Sequence, residues 1–417
     1  MIILKTNKLL ILLTIFSLSL GQFARLPLGG YVVGVYLWDI FVFVTLLSTF
    51  FVGMKSINLK EIPSFYKYMF LFMIWAVITM VNGYRYLGSL SEFIISISYL
   101  LRFIAYNLWG FLIYQQFKND KSFKTQTVYA VVFMGFLLSI FGFIQLLIFP
   151  DLGKLDSSLL WDPHKGRLVS TIMDPNFVAV VLLFPVIFNV ILLFNKLKEK
   201  KKNLVSLFLL SSSLSVMLFA DLLTYSRSGW LALGVLLLIV SIVRYRILFI
   251  ITIVVFFSSY YFVPRIQTRI SGITDPSDSF YFRYKSWENA AKIIKEKPII
   301  GYGYNTYRYV QADHGYFDYE NEIGNRAGAG SDSSFLQIFA TTGIVGFFLY
   351  LASYGSFFLC SLKYYIKKRG EGNFLKYLLA FALTLAIFVE SQFVNALLFP
   401  QVMLLFLTYI AFVFTKD

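Results

Sequence analysis

The sequence predicts an all-α polytopic membrane protein. It should have about 12 transmembrane helices and one large outward-facing loop that carries an amphipathic helix. Three observations carry this. Hydrophobic residues make up 58% of the chain and charged residues only 14%, against about 25% charged in an average soluble domain. Apolar runs of about 18 or more residues recur from end to end, and roughly 20 are needed to cross a bilayer core. One polar stretch, Pro264–Asp332, interrupts the pattern with nine of the 37 Lys and Arg and nine of the 22 Asp and Glu.

The expected spans, in order, are Lys8–Ala24, Tyr31–Gly53, Phe65–Asn82, Glu92–Phe117, Thr127–Phe149, Asn176–Asn195, Leu204–Asp221, Gly229–Val243, Ile247–Val263, Ser333–Ser361, Phe374–Gln392 and Phe399–Thr415. The first follows a short basic start (Lys5, Lys8) with no A-x-A-like site after it, so it reads as a signal-anchor span. Three regions follow: residues 1–263 with nine spans, the loop 264–332, and residues 333–417 with three spans. No repeat of fixed period is visible.

Orientation comes from Lys and Arg. With the N-terminus inside, 21 of them fall in cytoplasmic segments, and the short outer loops hold six: Arg25, Arg85, Lys154, Lys165, Arg167 and Arg227. Such a bias places both termini in the cytoplasm and Pro264–Asp332 outside. The net charge of +15 is therefore a topology signal, and nucleic acid is not an expected partner.

Four outer segments then share one face: 150–176, the turn 224–229, the large loop, and the start of the span at Ser333. In the loop, Arg283–Lys297 reads as an amphipathic helix with Trp287, Ala290, Ala291 and Ile294 on one face and Pro298 ending it. It can lie on the membrane surface or pack on the spans from outside. A loop this long is usually functional or disordered, and its many aromatic residues argue against disorder.

The candidate chemistry sits in these segments. Arg227 stands in the turn TYSRSGW, crowded by Tyr225, Ser226 and Ser228, where the following helix presents N–H groups suited to an anion. Simple snorkelling to the interface is the alternative. Arg283 lies among aromatic residues in FYFRYKSW, and Arg167 in RLVSTIMDPNF. An arginine's planar fork suits a diphosphate, although an exposed arginine can also be merely solvated. Asp332 either caps the next helix or acts as a carboxylate on an acceptor hydroxyl. Asp313, His314, Asp318, Glu320 and Glu322 are its rivals. With two histidines and one cysteine, Cys360, a zinc site of three protein ligands is not expected. No H-E-x-x-H and no P-loop are present. No cofactor and no metal is expected.

Taken together, RLVSTIMDPNF (Arg167–Phe177), LTYSRSGWLAL (Leu223–Leu233), FRYKSWENAAKIIKEKPIIGYGYNTY (Phe282–Tyr307) and SDSSFLQIFATTGIVG (Ser331–Gly346) resemble the O-antigen ligase and Wzy-type polymerase family. The resemblance covers roughly Arg167–Leu351. It implies metal-independent glycosyl transfer on the outer face of the bacterial cytoplasmic membrane, in surface polysaccharide synthesis (capsule, exopolysaccharide or O-antigen). The substrate would be an oligosaccharide on undecaprenyl diphosphate, and a chain-length regulator and a flippase would be partners. Arg227 and Arg283 match the arginines that hold the leaving diphosphate. Arg167, Tyr225, Ser226, Asn176 and Tyr302 are the further candidates for contacts to diphosphate or glycan. Asp332 stands where ligases carry His, and Ser333 where Asn is common, which favours polymerase over ligase. A lipid-linked sugar transporter or flippase is the reading from another class. It would place charges at mid-membrane, where only Arg102, Glu390 and Asp39 fall within spans.

Overall fold

The computed structural model describes residues 2–26, 34–52, 61–155, 164–271, 279–316, 330–369 and 374–415. Among them the chain forms fifteen α-helices and a single pair of two-residue strands. This is an all-α multi-pass membrane protein.

Each of the twelve expected spans coincides with a helix. These are α1 (Ile2–Ser17), α2 (Leu37–Val52), α3 (Ser64–Gly83), α4 (Leu90–Asn119), α5 (Lys121–Ile148), α6 (Pro175–Lys198), α7 (Leu204–Leu223), α8 (Arg227–Val243) and α9 (Ile247–Phe262), then α13 (Ser334–Lys368), α14 (Phe374–Glu390) and α15 (Pro400–Phe414). Seven stretches are long and apolar enough to cross a membrane by themselves, with α1 counted together with the turn that extends it to Ala24. The others have 15 to 17 residues, or about 24 Å of helix against a core of about 30 Å. The large loop contributes α10 (Pro264–Ser271), α11 (Ser279–Glu296) and α12 (Tyr307–Asp313).

The centre of the bundle is α6, α14 and α15. Nearly every side chain of α14 and α15 is buried, and so is most of α6. The aromatic stack Phe177–Phe399, at 3.9 Å between centroids, joins the first turn of α6 to the approach to α15. By contrast α9 has no buried residue, as expected of a helix whose apolar sides face lipid.

Local differences from expectation have local causes. The second helix starts at Leu37 rather than Tyr31. Ahead of it, Arg25–Leu26 (β1) pairs with Val35–Tyr36 (β2), and the Tyr36 N–H donates to Asp39 Oδ2 at 2.9 Å. The chain bends by 96° between α9 and α10, at Pro264, which cannot continue a helix ladder. On α11 the buried face is Asn289, Ala290 and Ile293, one position out of register with expectation, so Ala291 faces out. That face packs on α12 and α13, which makes α11 a helix seated on the bundle rather than one lying on lipid.

The glycines of Gly301–Tyr304 have a structural task. Tyr302 and Gly303 donate N–H bonds to the carbonyls of Ala340 and Thr341 at 3.0 and 2.8 Å, and Ile344 donates to Pro298 at 2.8 Å. This pairing wedges the segment against a break in α13 at Gly343 (φ +64°). Gly303 needs its φ of +112° and approaches Gly83 of α3 so closely that a Cβ would meet Gly83 Cα at 2.6 Å.

Candidate active site

Helix direction alternates along the bundle. The ends of α5, α7, α9 and α14 and the starts of α6, α8, α13 and α15 therefore lie at one end of the molecule, together with α10–α12. All four segments singled out in the sequence converge there.

The turn before α8 is built from its own side chains. Ser226 caps α8 by accepting from the Gly229 N–H at 3.2 Å, and Tyr225 takes the left-handed conformation (φ +50°). Arg167 braces this turn from outside. Its Nε donates to the Thr224 carbonyl at 2.8 Å, and its Nη2 donates to the Tyr225 carbonyl at 3.3 Å and to Asn176 Oδ1 at 3.4 Å. From Asn176 the network runs inward. Ser226 Oγ donates to Asn176 Oδ1 at 2.9 Å and lies 3.3 Å from Ser228 Oγ, which donates to Glu390 Oε1 at 2.9 Å. Four elements are joined: the 164–174 segment, α6, the α8 turn and the end of α14.

Arg227 points the other way. Its guanidinium donates to the Arg269 carbonyl at 3.0 Å and to Ser279 Oγ at 2.9 Å, tying the end of α10 to the start of α11. The guanidinium of Arg265 stacks over Tyr225 at 4.4 Å and also donates to the Lys165 carbonyl. Arg283 lies in the first turns of α11 and makes no hydrogen bond among the described residues. It acts electrostatically on both Arg167 and Glu390.

Five arginines thus share one patch: Arg167, Arg227, Arg265, Arg269 and Arg283. Burial, then the charge of Arg269, lowers the Arg167 pKa to about 9, with Asp174 opposing. Burial also pushes His164 down to about 4, with Asp174 opposing and Arg167 and Arg269 assisting. Asp174 itself is engaged as the cap of α6, accepting from the N–H groups of Asn176 and Phe177. The starts of α6 and α8 add partial positive charge. Burial and the neighbouring positive charges lower the basicity of Arg167, and a cluster of guanidinium groups of this kind can hold an anion with several oxygens.

Asp332 enters from α13. Its N–H donates to Ser286 Oγ at 3.0 Å, and Ser286 stands one turn after Arg283 on the same face of α11. The cap of α13 is Ser333, whose Oγ accepts from the Leu336 N–H. The capping role weighed for Asp332 therefore belongs to its neighbour. Burial, then the Asp332 charge, holds the Tyr307 phenol above its ordinary value, with Ser331 opposing. Beside Tyr307 opens a cavity of about 270 Å³ whose walls include Tyr99, Asn305, Arg308, Gln337 and Asn395. A second cavity of about 150 Å³ shares Tyr99, Asn305, Gln337 and Asn395 and continues inward. Amide side chains beside aromatic rings match the hydroxyls and apolar faces of a sugar.

The structure brings Arg167, Asn176, Tyr225, Ser226, Arg227, Arg283 and Asp332 to this end of the bundle. Tyr302 is not part of the cluster. It is 7% exposed, and its hydroxyl donates to Glu296, at the far end of α11, about 20 Å along the helix from Arg283. His314 is likewise occupied. Its Nδ1 is 2.7 Å from the Val310 carbonyl and its Nε2 is 3.0 Å from Glu296. Of the other rivals to Asp332, Asp313 is exposed, and Asp318, Glu320 and Glu322 lie outside the described residues. Arg265, Arg269 and the two buried carboxylates Glu390 and Asp221 were not proposed as site residues from sequence. The Arg265/Arg269 spacing of four after a proline was the available signal. For the carboxylates there was only their rarity in apolar helices.

Residues 212–351 match the family model described as O-antigen ligase. The match begins inside α7 and ends inside α13, so it contains Arg227, Arg265, Arg269, Arg283 and Asp332. Arg167, Asn176 and Glu390 lie outside it and join the site through the fold. No curated protein matches the chain.

Proposed function

We propose that this chain, with an O-antigen ligase domain over residues 212–351, is a membrane glycosyltransferase that polymerises undecaprenyl-diphosphate-linked repeat units on the outer face of the cytoplasmic membrane. The observation that carries the reading is the convergence of Arg167, Arg227, Arg265, Arg269 and Arg283, with Asp332 joined to α11 through Ser286, one turn from Arg283, and a cavity lined by amides and tyrosines beside Tyr307.

In this reaction a hydroxyl oxygen of the acceptor attacks the anomeric carbon of the donor glycan. The bond from that carbon to the diphosphate oxygen breaks, and the electron pair leaves with the diphosphate. Negative charge grows on the leaving group, where the arginines stabilise it. The hydroxyl proton goes to Asp332, held next to Arg283 through Ser286. The groove beyond Tyr307 holds sugar. No step of this scheme calls for a metal.

The second reading is ligation, transfer of the finished glycan to a different acceptor. The match to the O-antigen ligase family favours it, and Asp332 in place of a ligase's His favours polymerisation. A gel of lipid-linked glycans from cells lacking the protein separates the two. Single repeats left on the carrier support polymerisation. Long chains accumulating on the carrier overturn it in favour of ligation. Transfer by purified protein in excess chelator is expected to continue, and strict dependence on added Mg²⁺ or Mn²⁺ would contradict the metal-free step.

A further inference from the structure

A second cluster of titratable groups lies at the far end of α11, about 20 Å along the helix from Arg283. Glu296, the last residue of α11, faces His314, which ends α12. The His314 ring meets an acceptor on each side. Its Nδ1 is 2.7 Å from the Val310 carbonyl oxygen, and its Nε2 is 3.1 and 3.0 Å from Glu296 Oε1 and Oε2. Tyr302 donates its hydroxyl to the same carboxylate and so fixes Glu296 in place. The Tyr302 and Tyr316 rings flank the imidazole, at 6.4 and 5.6 Å between centroids.

Neither partner has a proton to offer. One is a backbone carbonyl, and the Tyr302 hydroxyl, against some burial and with help from His314, holds the Glu296 carboxyl below its ordinary range. Only the doubly protonated imidazolium can donate on both sides. In either neutral tautomer one ring nitrogen turns a lone pair on an acceptor oxygen. The surrounding charges do not reverse this. Asp313 favours the charged ring, Lys292 over the Tyr316 ring is paired with Glu288 at 2.7 Å, and Lys297 lies over Tyr86. We propose that His314 and Glu296 form a pH-sensitive clasp between α11 and α12, closed while the imidazole is charged and released when it loses a proton, and that the clasp regulates the cavity beside Tyr307. Tyr307, Arg308 and Tyr309 of α12 line that cavity, so freeing the end of α12 loosens one of its walls. Burial acts to lower the His314 pKa, but the Val310 carbonyl and Glu296 outweigh it and raise it above 6.5. The clasp is therefore complete below 6.5 and is lost as pH rises through the raised value. The clasp stands on this geometry, and its effect on the cavity rests on the transferase reading.

Amide hydrogen exchange of the purified full-length protein tests the clasp, read by mass spectrometry on either side of the His314 titration and corrected for intrinsic exchange. Protection of the α12 amides relative to those of α13 is expected to fall roughly two- to fivefold on the alkaline side, the range of a partly exposed ion pair. In His314→Gln that pH dependence should vanish. In Glu296→Gln it should shrink, and the His314 imidazole should titrate lower by NMR. The same α12 protection at both pH values in the wild type, or the same pH dependence in His314→Gln, overturns the clasp. Regulation is read separately, from the KM for a lipid-linked donor. It should rise through the His314 titration in the wild type and stay level in His314→Gln. A pH-dependent exchange with a level KM in the wild type overturns the regulatory role. Absence of transfer at every pH overturns the transferase reading instead, and the exchange data still decide the clasp.

Discussion

Ser228 Oγ donates to Glu390 Oε1 at 2.9 Å, joining the first turn of α8 to the last residue of α14 across 162 positions of sequence. Glu390 has no exposed surface. The bond ends a relay that begins at Arg167 and passes through Asn176 and Ser226. Asp221, also buried, lies within electrostatic reach of Glu390. The arginine patch therefore rests on a carboxylate floor that the matched domain only partly contains. Glu390→Ala should leave Ser228 without its acceptor and reduce transfer, and Glu390→Gln, which keeps an acceptor oxygen, should lose less. Equal transfer by wild type and Ala at equal membrane abundance would remove Glu390 from the site.

The arginines should differ by what holds them. If Arg283 holds the donor diphosphate, Arg283→Ala should lose a charged contact worth about 1.5–3 kcal/mol, or roughly 10- to 150-fold in rate. Arg283→Lys should also lose activity, because the fork is gone. Arg167 braces the carbonyls of Thr224 and Tyr225, so Arg167→Ala should loosen the turn and lower thermal stability as well as rate. A ladder of normal length from Arg283→Ala and Arg227→Ala would refute the diphosphate role of both.

The helices were legible because a long apolar run shows itself within one segment. The order of the site segments was legible for a similar reason, since helices alternate direction. What stayed hidden depends on distant partners. The register of α11 is set by α12 and α13, and its own sequence allows Ala291 or Ile293 inward. Tyr302 looked available in a Gly-rich turn, yet pairing with the broken turn of α13 buries it. Glu390 belongs to the site only because α14 ends beside α8.

Gly343→Ala tests that pairing. The residue has φ +64°, and a Cβ there would stand 2.1 Å from the Ile299 carbonyl oxygen. Strain of this kind costs about 1–3 kcal/mol before any clash. A lowered melting temperature in detergent is expected. An unchanged melting temperature would mean that residues 298–303 do not pack against α13.

The two histidines should titrate far apart. His164 is held near 4 by burial and the neighbouring arginines. Burial also acts to lower His314, but the Val310 carbonyl and Glu296 outweigh it, and its value is raised above 6.5. Because His164 is depressed, its contribution to stability is present above the unfolded value near 6.5 and is lost as pH falls towards 4. His314 has the opposite sign: its contribution is present below 6.5 and is lost as pH rises through its raised value. Imidazole NMR signals assigned with single His→Gln variants check both. Coincident titration near 6.5 would contradict the burial of His164 and the Glu296 contact of His314.

The separation of Asp332 from Ser333 gives the sharpest test of the acceptor step. Ser333 is the cap of α13, so Ser333→Ala should cost about 1 kcal/mol of stability and little of the chemistry in the protein that remains folded. Asp332 is tied to α11 by its backbone N–H, through Ser286, and its carboxylate is partly buried. Asp332→Asn keeps the size, the backbone bond and the capping neighbour, and removes the charge and the proton acceptor. If the carboxylate takes the acceptor proton, Asp332→Asn should cut turnover by about 100-fold or more, with donor binding nearly intact because the arginines are untouched. Single repeats should then accumulate on the carrier. Donor retention by the purified variant separates this from a damaged arginine patch. An unchanged ladder in Asp332→Asn would shift the acceptor role to another carboxylate of the loop. An effect of Ser333→Ala on rate equal to that of Asp332→Asn would reduce both to the placement of α13.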